Sequence, residues 1–315
     1  MTAPLLVTFG EVMGLVSTRA IGTLDIAREA TIGIGGAESN VATGAARLGA
    51  SVRWTGRVGR DAVGDLAVRR LQADGVDVRA IRDDAFTGLM VRHHRTSQQV
   101  HVDYHRAGSA GSRLTAADGV ADGITSQDVL HLTGITPALS VSAYEACSAA
   151  IEQARSVGAR VSFDINYRSK LWTAAAARPV LAELAGHADI LFAGVEEAQL
   201  LLGTVESDAL GLAAQLARLG PEEVVIKQGA QGCSALVAGE RLVELAPRVA
   251  VVDPVGAGDA FVAGYLAERL IGAAPVQRLR TATAAGSYAV TVPGDCELLP
   301  TRAELADAHP VDVVR

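Results

Sequence analysis

The stretch that decides the fold is "VDPVGAGDAFVAGYLAERL" (252–270), in which one carboxylate, Asp259, directly follows a glycine-alanine-glycine run. Apolar side chains at helical spacing follow it and predict that a helix begins there. Gly256, Ala257 and Gly258 leave the backbone amides at this helix start unobstructed. These amides lack intrahelical partners and lie at the positive end of the helix dipole, so the pattern predicts an anion site. Asp259 is then either an ordinary first-turn acid or a group that acts on that anion.

A carboxylate at this place has a chemical use if the anion is a phosphoryl group in transfer. The amides would stabilise the charge of that group, and Asp259 would accept a proton from an attacking hydroxyl. No Walker A loop is present, and the dinucleotide fingerprint G-x-G-x-x-G fails twice. Glu38 in "GIGGAESN" and Phe261 in "GAGDAF" stand where its last glycine would be, which disfavours an NAD enzyme.

Composition excludes several classes of partner. The 315 residues are 49% hydrophobic and carry a net charge of −7, so a large core is expected, and neither nucleic acid nor an anionic membrane is indicated as a partner. The three cysteines form no C-x-x-C pair, which favours the reducing cytoplasm. The N-terminus predicts a first strand rather than a signal peptide, and no apolar run is long enough for a membrane helix.

Strands and helices alternate along most of the chain, which predicts a mostly parallel sheet covered on both faces. The predicted strands are 5–11, 51–59, 128–134, 159–166, 188–194, 222–229 and 233–239. The predicted helices are 38–49, 62–75, 141–156, 173–186, 208–219, 259–271 and 275–290, and Thr301 with Glu304 in "TRAELADAH" forms a capping box that predicts one more helix start. We expect one domain over 1–315, with a separate small β-sheet, a lid, formed by about 12–35 and 85–107.

The lid segment "VHVDYHR" (100–106) has two different faces when its side chains alternate along a strand. One face has the order His-x-Asp-x-His, which is either an ordinary exposed face or three metal ligands without a fourth. The other face carries Val102, Tyr104 and Arg106. It either packs in the usual way, with the arginine reaching to solvent, or closes over a small polar anion.

Two separate stretches together resemble the ribokinase-like (PfkB) carbohydrate kinases. "DPVGAGDAFVAGYLAERL" is similar to their C-terminal signature, and "GIGGAESNVATGAARLGASVRWTGRVGRDAVGD" is similar to their N-terminal one. Their order and separation fit the family over nearly the whole chain. The resemblance implies an α/β, ribokinase-like fold with a central mostly parallel sheet flanked by helices and a small β lid. It also implies ATP-dependent phosphorylation of a hydroxymethyl group with Mg²⁺, and leaves open whether a monovalent cation is needed.

The same resemblance implies roles for individual residues. Asp259 would be the catalytic base, and the amides of Gly256, Ala257 and Gly258 the anion hole. "VIKQGAQGC" is similar to the turn on the nucleotide side. The residues that it would place near ATP are Lys227, Gly229 and Gly232.

Metal binding is where the sequence departs from the family. Asp253 would help to order the loop or its ions, or is simply a turn acid before Pro254. Pro254 replaces the usual threonine. In the family's N-x-x-E motif, Glu197 is present as the second metal-linked acid, but Gly194 replaces the asparagine.

Within the family, the pattern is most similar to kinases of 2-keto-3-deoxygluconate. The pointers are "YHRAGSAGS" (104–112), "FDINYRSKLW" (163–172) and "VPGDCE" (292–297). The residues implied to contact the sugar acid are Gly36, Asn40, Met90, Tyr104, Arg106, Arg168 and Asp295. Met90 stands where the compared kinases tend to carry a tyrosine. Arginines suit a carboxylate better than a neutral hexose, although Arg168 is alternatively a surface residue after a strand.

The sequence leaves two rival functions open. One is a fructokinase or another ribokinase-type sugar kinase, against which the two arginines argue. The other is a non-catalytic sugar or nucleotide sensor, which would need Asp259 or the anion-hole glycines to be lost. The expected partner is a small sugar acid, with a homo-oligomer formed through the lid.

Overall fold

Two β-sheets organise the chain in the computed structural model, which describes residues 3–96 and 99–307. In chain order, the strands are β1 (Leu5–Phe9), β2 (Met13–Ile21), β3 (Ala30–Gly35), β4 (Ser51–Gly59), β5 (Asp77–Asp83), β6 (Leu89–His94), β7 (Val100–His105), β8 (Val129–Thr133), β9 (Arg160–Asp164), β10 (Ile190–Gly194), β11 (Glu223–Lys227), β12 (Cys233–Val237) and β13 (Glu240–Glu244). The α-helices are α1 (Ala37–Arg47), α2 (Ala62–Ala73), α3 (Val141–Ser156), α4 (Ala174–Gly186), α5 (Val195–Leu202), α6 (Ala209–Ala217), α7 (Ala257–Leu270), α8 (Pro275–Ala289) and α9 (Arg302–Asp307).

The large sheet has the strand order β13-β12-β11-β10-β9-β8-β1-β4-β5. Its pairs are parallel except β11 with β12 and β12 with β13, which are antiparallel hairpin neighbours at one edge. The prediction of a mostly parallel central sheet is confirmed. Because parallel strands need crossovers, helices cover both faces, and the strands are apolar on both sides.

Alternate side chains of one strand feed two cores. In β10, Leu191 and Ala193 pack with helices α3 to α6, whereas Ile190 and Phe192 pack with α1, α2, α7 and α8. This follows from the two-residue period of a strand. Both helical layers therefore pack against the same strands. This packing holds α1 and α7 at the carboxyl edge of the sheet. Within the described residues, no helix is long and apolar enough to cross a bilayer.

The small sheet has the order β3-β2-β6-β7, and its strands fall in the segments predicted for a lid. β2 pairs with β3 antiparallel and with β6 parallel, and β6 pairs with β7 antiparallel. One face buries Met13, Leu15 and Met90 in a core of their own. The separate small sheet is confirmed, whereas its action as a lid and the single domain over 1–315 stay predictions.

Three elements were absent from the sequence prediction: β5, β13 and α5. Both strands lie at an edge of the large sheet and are polar, "DVRAIRD" and "ERLVE", so they lack the apolar run by which the inner strands were found. Helix α5 has eight residues, too few for a clear helical period. Edge position and short length thus explain what the pattern missed.

A buried carboxylate joins α1 to the sheet. Glu38, in the first turn of α1, is wholly buried, and its Oε1 accepts hydrogen bonds from the hydroxyls of Thr133 (2.8 Å) and Thr136 (2.7 Å). Thr133 ends β8, and Thr136 begins the short 3₁₀ turn after it. Burial raises the pKa of Glu38 to about 7, and the two hydroxyls only partly oppose this effect. The folded state therefore favours the protonated acid.

Glu38→Gln should change the pH dependence of stability. In the wild type, the raised pKa of Glu38 stabilises the fold below about pH 4.5, and this stability is lost as the pH rises through about 7. Glutamine does not ionise, so the variant does not lose this stability as the pH rises. The variant should gain up to about 3 kcal/mol relative to the wild type between pH 5 and pH 8. Chemical denaturation at both pH values measures this, with Glu152→Gln on the exposed face of α3 as control. An equal difference at both pH values would show that Glu38 is not buried as a neutral acid.

Candidate active site

The site lies at the carboxyl edge of the parallel strands, where open α/β sheets bind their ligands. Strands β9, β10 and β11 end there at Asp164, Gly194 and Lys227. Helix α7 begins at the same edge, directly after Gly256. β9 and β10 are each followed by a crossover that returns to the opposite edge, so β9, β10 and β11 run parallel and end at the same edge.

Gly256 makes the start of α7 possible. Its φ of +77° lies in the left-handed region, and a Cβ there would overlap the carbonyl oxygen of Asp295. Both conditions require glycine. The chain thus enters α7 with bare backbone, and the first-turn amides of Ala257, Gly258 and Asp259 have no intrahelical acceptor. The predicted anion hole, formed by the amides of Gly256, Ala257 and Gly258, is called the anion cradle, and its binding of an anion stays a prediction.

A lysine lies beside this cradle. The Nζ atom of Lys227 lies 3.8 Å from the place where a Cβ of Gly258 would be, and it donates to Asp164 at 2.6 and 2.9 Å. Burial alone would lower the pKa of Lys227, but the charges of Asp164 and Glu197 outweigh it and raise the pKa. The side chain is only 19% exposed, so a fixed, charged ammonium stands next to the helix start.

Asp259 is held from the opposite side by α1. Asn40 Nδ2 donates a hydrogen bond to Asp259 Oδ2 at 2.8 Å, and both side chains are buried. Burial raises the pKa of Asp259 to about 6, while the Asn40 hydrogen bond and the Arg168 charge oppose that rise. The carboxylate is therefore ionised at neutral pH and is more basic than an ordinary aspartate. Such a group can take a proton from an alcohol.

Asp295 lies between the small sheet and the cradle. Its carbonyl contacts Gly256, and its Oδ2 contacts Gly35 at the end of β3, next to the Met90 side chain. Burial raises the pKa of Asp295 to about 7, and Arg92 opposes this. Arg92 of β6, which the sequence analysis missed, lies 3.0 Å from Asp295 Oδ1.

Strand β7, at the edge of the small sheet, contacts the segment that follows β9. Tyr104 is 41% exposed, and its ring lies 5.7 Å from the Arg106 guanidinium carbon and 5.6 Å from Lys170 Nζ. Lys170 also donates to the Val102 carbonyl at 2.9 Å. Arg168, two residues before Lys170, is exposed and has no ion pair with a described residue.

Arg106 is already paired within the chain. Its guanidinium forms an ion pair with Glu11, a buried carboxylate that also accepts a hydrogen bond from the Ser109 hydroxyl. Its buried Nε has no partner among the described residues. Glu11 thus holds the side chain of Arg106 in place, while the Nε–H group of Arg106 is left without a described acceptor.

The remaining glycines of the prediction have structural reasons of their own. Gly36 caps α1, and a Cβ there would overlap the Glu11 carbonyl oxygen. Gly229 and Gly232 form the turn after Lys227, and both have left-handed backbone. No described contact joins these two to Asp259.

The two acids predicted to bind metal have other partners. Glu197 Oε1 accepts from the Tyr167 amide (2.9 Å) and Oε2 from the Gly194 amide (2.6 Å). Asp253 Oδ1 accepts from the Val255 amide (3.1 Å), and its Oδ2 lies 3.3 Å from Arg92. The described residues hold no cluster of three or more metal-type side chains. An ionised carboxylate offers about four lone-pair sites, so these partners do not exclude a metal ion, and the metal role of both acids stays a prediction.

Among the predicted site residues and the segment after β9, several buried polar atoms lack a described partner, which is the state expected of groups that meet a ligand. They are Asn40 Oδ1, Asn166 Oδ1 and Arg106 Nε. Asn166 also has a φ of +38°, a strained backbone typical of functional sites. The sequence analysis quoted its segment, "FDINYRSKLW", yet did not single out Asn166 or Asp164. A polar residue directly after a buried strand was the available signal.

Known proteins resemble this chain over nearly its whole length. The model of the pfkB family of carbohydrate kinases matches residues 3–302. A 2-dehydro-3-deoxygluconokinase of Bacillus subtilis is 37% identical over 305 residues, covering 95% of this chain and 94% of the relative. The crystal structure of a 2-dehydro-3-deoxygluconokinase from Thermotoga maritima superposes with a TM-score of 0.88 at 27% identity, covering 97% of this chain and 98% of that one.

A structure of a ribokinase II candidate from Escherichia coli, in complex with ATP and Mg²⁺, has a TM-score of 0.86 at 26% identity and covers 97% of this chain and 98% of that one. Both the sequence relatives and the fold therefore lead to one conclusion. The chain belongs to the pfkB family of carbohydrate kinases.

Proposed function

We propose that this kinase transfers the terminal phosphoryl group of ATP to the terminal hydroxymethyl group of 2-keto-3-deoxygluconate (2-dehydro-3-deoxygluconate), giving the 6-phosphate. The observation that carries the chemistry is the buried Asp259, held by Asn40 at 2.8 Å at the start of α7. The choice of substrate is supported by the similar 2-dehydro-3-deoxygluconokinases of Bacillus subtilis and Thermotoga maritima.

Asp259 acts as the base. Its carboxylate accepts the proton of the sugar hydroxyl as that oxygen forms a bond to the γ-phosphorus. The bond from the γ-phosphorus to the β–γ bridging oxygen breaks, ADP leaves with the electron pair, and the proton on Asp259 passes to solvent. Asn40 holds the carboxylate in line with the incoming alcohol.

The anion cradle and Lys227 stabilise the group in transfer. The amides of Gly256, Ala257 and Gly258 and the ammonium of Lys227, which lies beside Gly258, stabilise its negative charge, because dipoles and charges that are already fixed need no reorganisation during the reaction. The Asp164 pair keeps the ammonium in place before the nucleotide arrives. Gly229 and Gly232 shape the turn on the nucleotide side. Mg²⁺ would neutralise phosphate charge there, held by phosphate oxygens of ATP and water, with Glu197 and Asp253 as the acids predicted near it.

The carboxylate of the sugar acid binds beside four side chains, three of them cationic. They are Tyr104, Arg106, Arg168 and Lys170. Because Glu11 neutralises Arg106, the cations of this group without a described carboxylate partner are Lys170 and Arg168, and the positive charge of Arg168 already acts on Asp259. Asp295 and the amide of Gly36 face the sugar from the other side, with Met90 as an apolar wall. A fructokinase remains the alternative, but it has no use for this concentration of positive charge.

The small sheet also supports the proposed assembly. Its outer side and the turn between β2 and β3 expose large apolar side chains, Ile21, Leu24, Ile26 and Ile32. Pairing of this surface with a second copy of the chain would bury them, as a homo-oligomer through the lid requires. All three cysteines are free and buried, which suits the proposed cytoplasmic location.

Asp259→Asn should fold normally and lose roughly three to four orders of magnitude in kcat, because the proton acceptor is gone. A coupled ADP-release assay measures kcat, and thermal unfolding checks the fold. Asp84→Asn, a change at an exposed aspartate, should keep wild-type turnover. Undiminished kcat in Asp259→Asn would assign the base to another residue.

The pH profile should report the raised pKa of Asp259. The ionised form is active, so kcat/KM should fall as the pH drops through about 6. Asn40→Ala removes a hydrogen bond that lowers this pKa, and its acidic limb should therefore move to higher pH. Profiles from pH 5 to 9 for both proteins test this. A limb that stays in place or moves to lower pH in Asn40→Ala would separate it from Asp259.

A substrate panel tests the sugar. ADP release should be fastest with 2-keto-3-deoxygluconate and slower with fructose, ribose and adenosine. Arg168→Ala should raise KM for the acid sugar by roughly tenfold to a hundredfold, the scale of a lost charge-assisted hydrogen bond, and change KM for fructose little. Arg70→Ala, at an exposed arginine of α2, is the control. Equal effects on both sugars would reject the carboxylate contact, and preference for fructose would favour the alternative.

A further inference from the structure

Arg92 reaches out of the small sheet. It lies in β6 with 3% of its surface exposed, and its Nε donates to the Ser17 hydroxyl of β2 at 3.2 Å. One terminal nitrogen of the guanidinium lies 3.0 Å from Asp295 Oδ1 and 3.3 Å from Asp253 Oδ2. A single buried cation thus joins two strands of the small sheet to two loops beside α7.

The two carboxylates belong to different halves of the site. Asp253 opens the loop that leads into the anion cradle, where its Oδ1 accepts from the Val255 amide at 3.1 Å. Asp295 faces Gly35 on the sugar side, while its carbonyl supports Gly256. The phosphate half and the sugar half therefore meet at Arg92.

Both carboxylates depend on this cation. They are buried, and burial raises the pKa of Asp295, an effect that the Arg92 charge opposes. Two buried negative charges without a counter-ion would be strongly unfavourable. Any movement of the small sheet that carries Arg92 away would leave them unpaired, so the position of β6 and the conformation of both loops are energetically linked.

We propose that Arg92 is a positioning residue that couples sugar binding under the small sheet to nucleotide binding at the anion cradle. The proposal rests on the proposed function. A sugar bound between the small sheet and Asp295 holds Arg92 in its contacts with both carboxylates, and Arg92 then keeps the Asp253 loop and Gly256 ordered. Such coupling is reciprocal, so each ligand tightens the binding of the other.

The experiment measures this coupling without turnover. Calorimetry gives the Kd of a non-hydrolysable ATP analogue, with Mg²⁺ throughout, in the presence and absence of saturating 2-keto-3-deoxygluconate. In the wild type the sugar should lower that Kd at least about fivefold, the lower end of typical coupling. In Arg92→Met the two Kd values should agree within about twofold.

Arg57→Met is the matched control. Arg57 also pairs with two aspartates, Asp83 (2.8 Å) and Asp118 (2.7 Å), but it lies in β4 and joins neither loop. It should lower stability and keep the coupling. If Arg92→Met does not fold, Arg92→Lys takes its place, since it keeps the charge and loses the nitrogen that is anchored on Ser17. Its coupling should be weaker than that of the wild type.

The outcomes separate the two proposals. Full coupling in Arg92→Met, or equal loss of coupling in Arg57→Met, overturns the role of Arg92, and so does an absence of coupling in a wild type that phosphorylates the sugar acid. A wild type that neither binds nor phosphorylates the sugar acid overturns the proposed function and this inference with it.

Discussion

In the proposed mechanism one constraint governs the site: a buried carboxylate, Asp259, must stay ionised beside the place where the nucleotide phosphates bind. Burial raises the pKa of Asp259 to about 6, and the Asn40 hydrogen bond and nearby cations keep it from rising further. The balance requires α1 to deliver Asn40 at hydrogen-bonding distance. It also requires the bare start of α7, since only Gly256 can approach the Asp295 backbone so closely. The two helical layers of the fold hold these elements in place.

Local pairing explains how an acidic protein binds a phosphate. Around the cradle, each of three cations has an acid of its own: Lys227 has Asp164, Arg92 has Asp253 and Asp295, and Arg106 has Glu11. These pairs fix positive charge at defined points without a basic surface, which fits the net charge of −7. Arg168 differs because it is exposed and has no such acid among the described residues. In the proposed mechanism, the unpaired positive charge of Arg168 is therefore available to the carboxylate of the sugar acid.

The sequence predicted the parts of the site that lie within continuous motifs. The start of α7, the parallel sheet and the separate small sheet follow from local glycines, periodicity and alternation. Contacts between distant segments had no such signal. Arg92 and Asp295 are 203 residues apart in the chain, and an arginine in a lid strand resembles a surface residue until its partners are known. Glu11 and Asp164 were missed for the same reason.

The two departures from the family motif have local counterparts in the structure. Gly194 lacks the side chain of the usual asparagine, but it is in register with Lys227 on the neighbouring strand, and the charge of Lys227 interacts with Glu197 of the same motif. Pro254 has no hydroxyl, yet Asp253 closes the turn itself by accepting from the Val255 amide, and Arg92 holds its other oxygen. A missing polar side chain is replaced in one case by a neighbouring strand and in the other by the small sheet. The loop before the cradle therefore depends on a residue from outside its own motif, which is why the small sheet can influence the phosphate side at all.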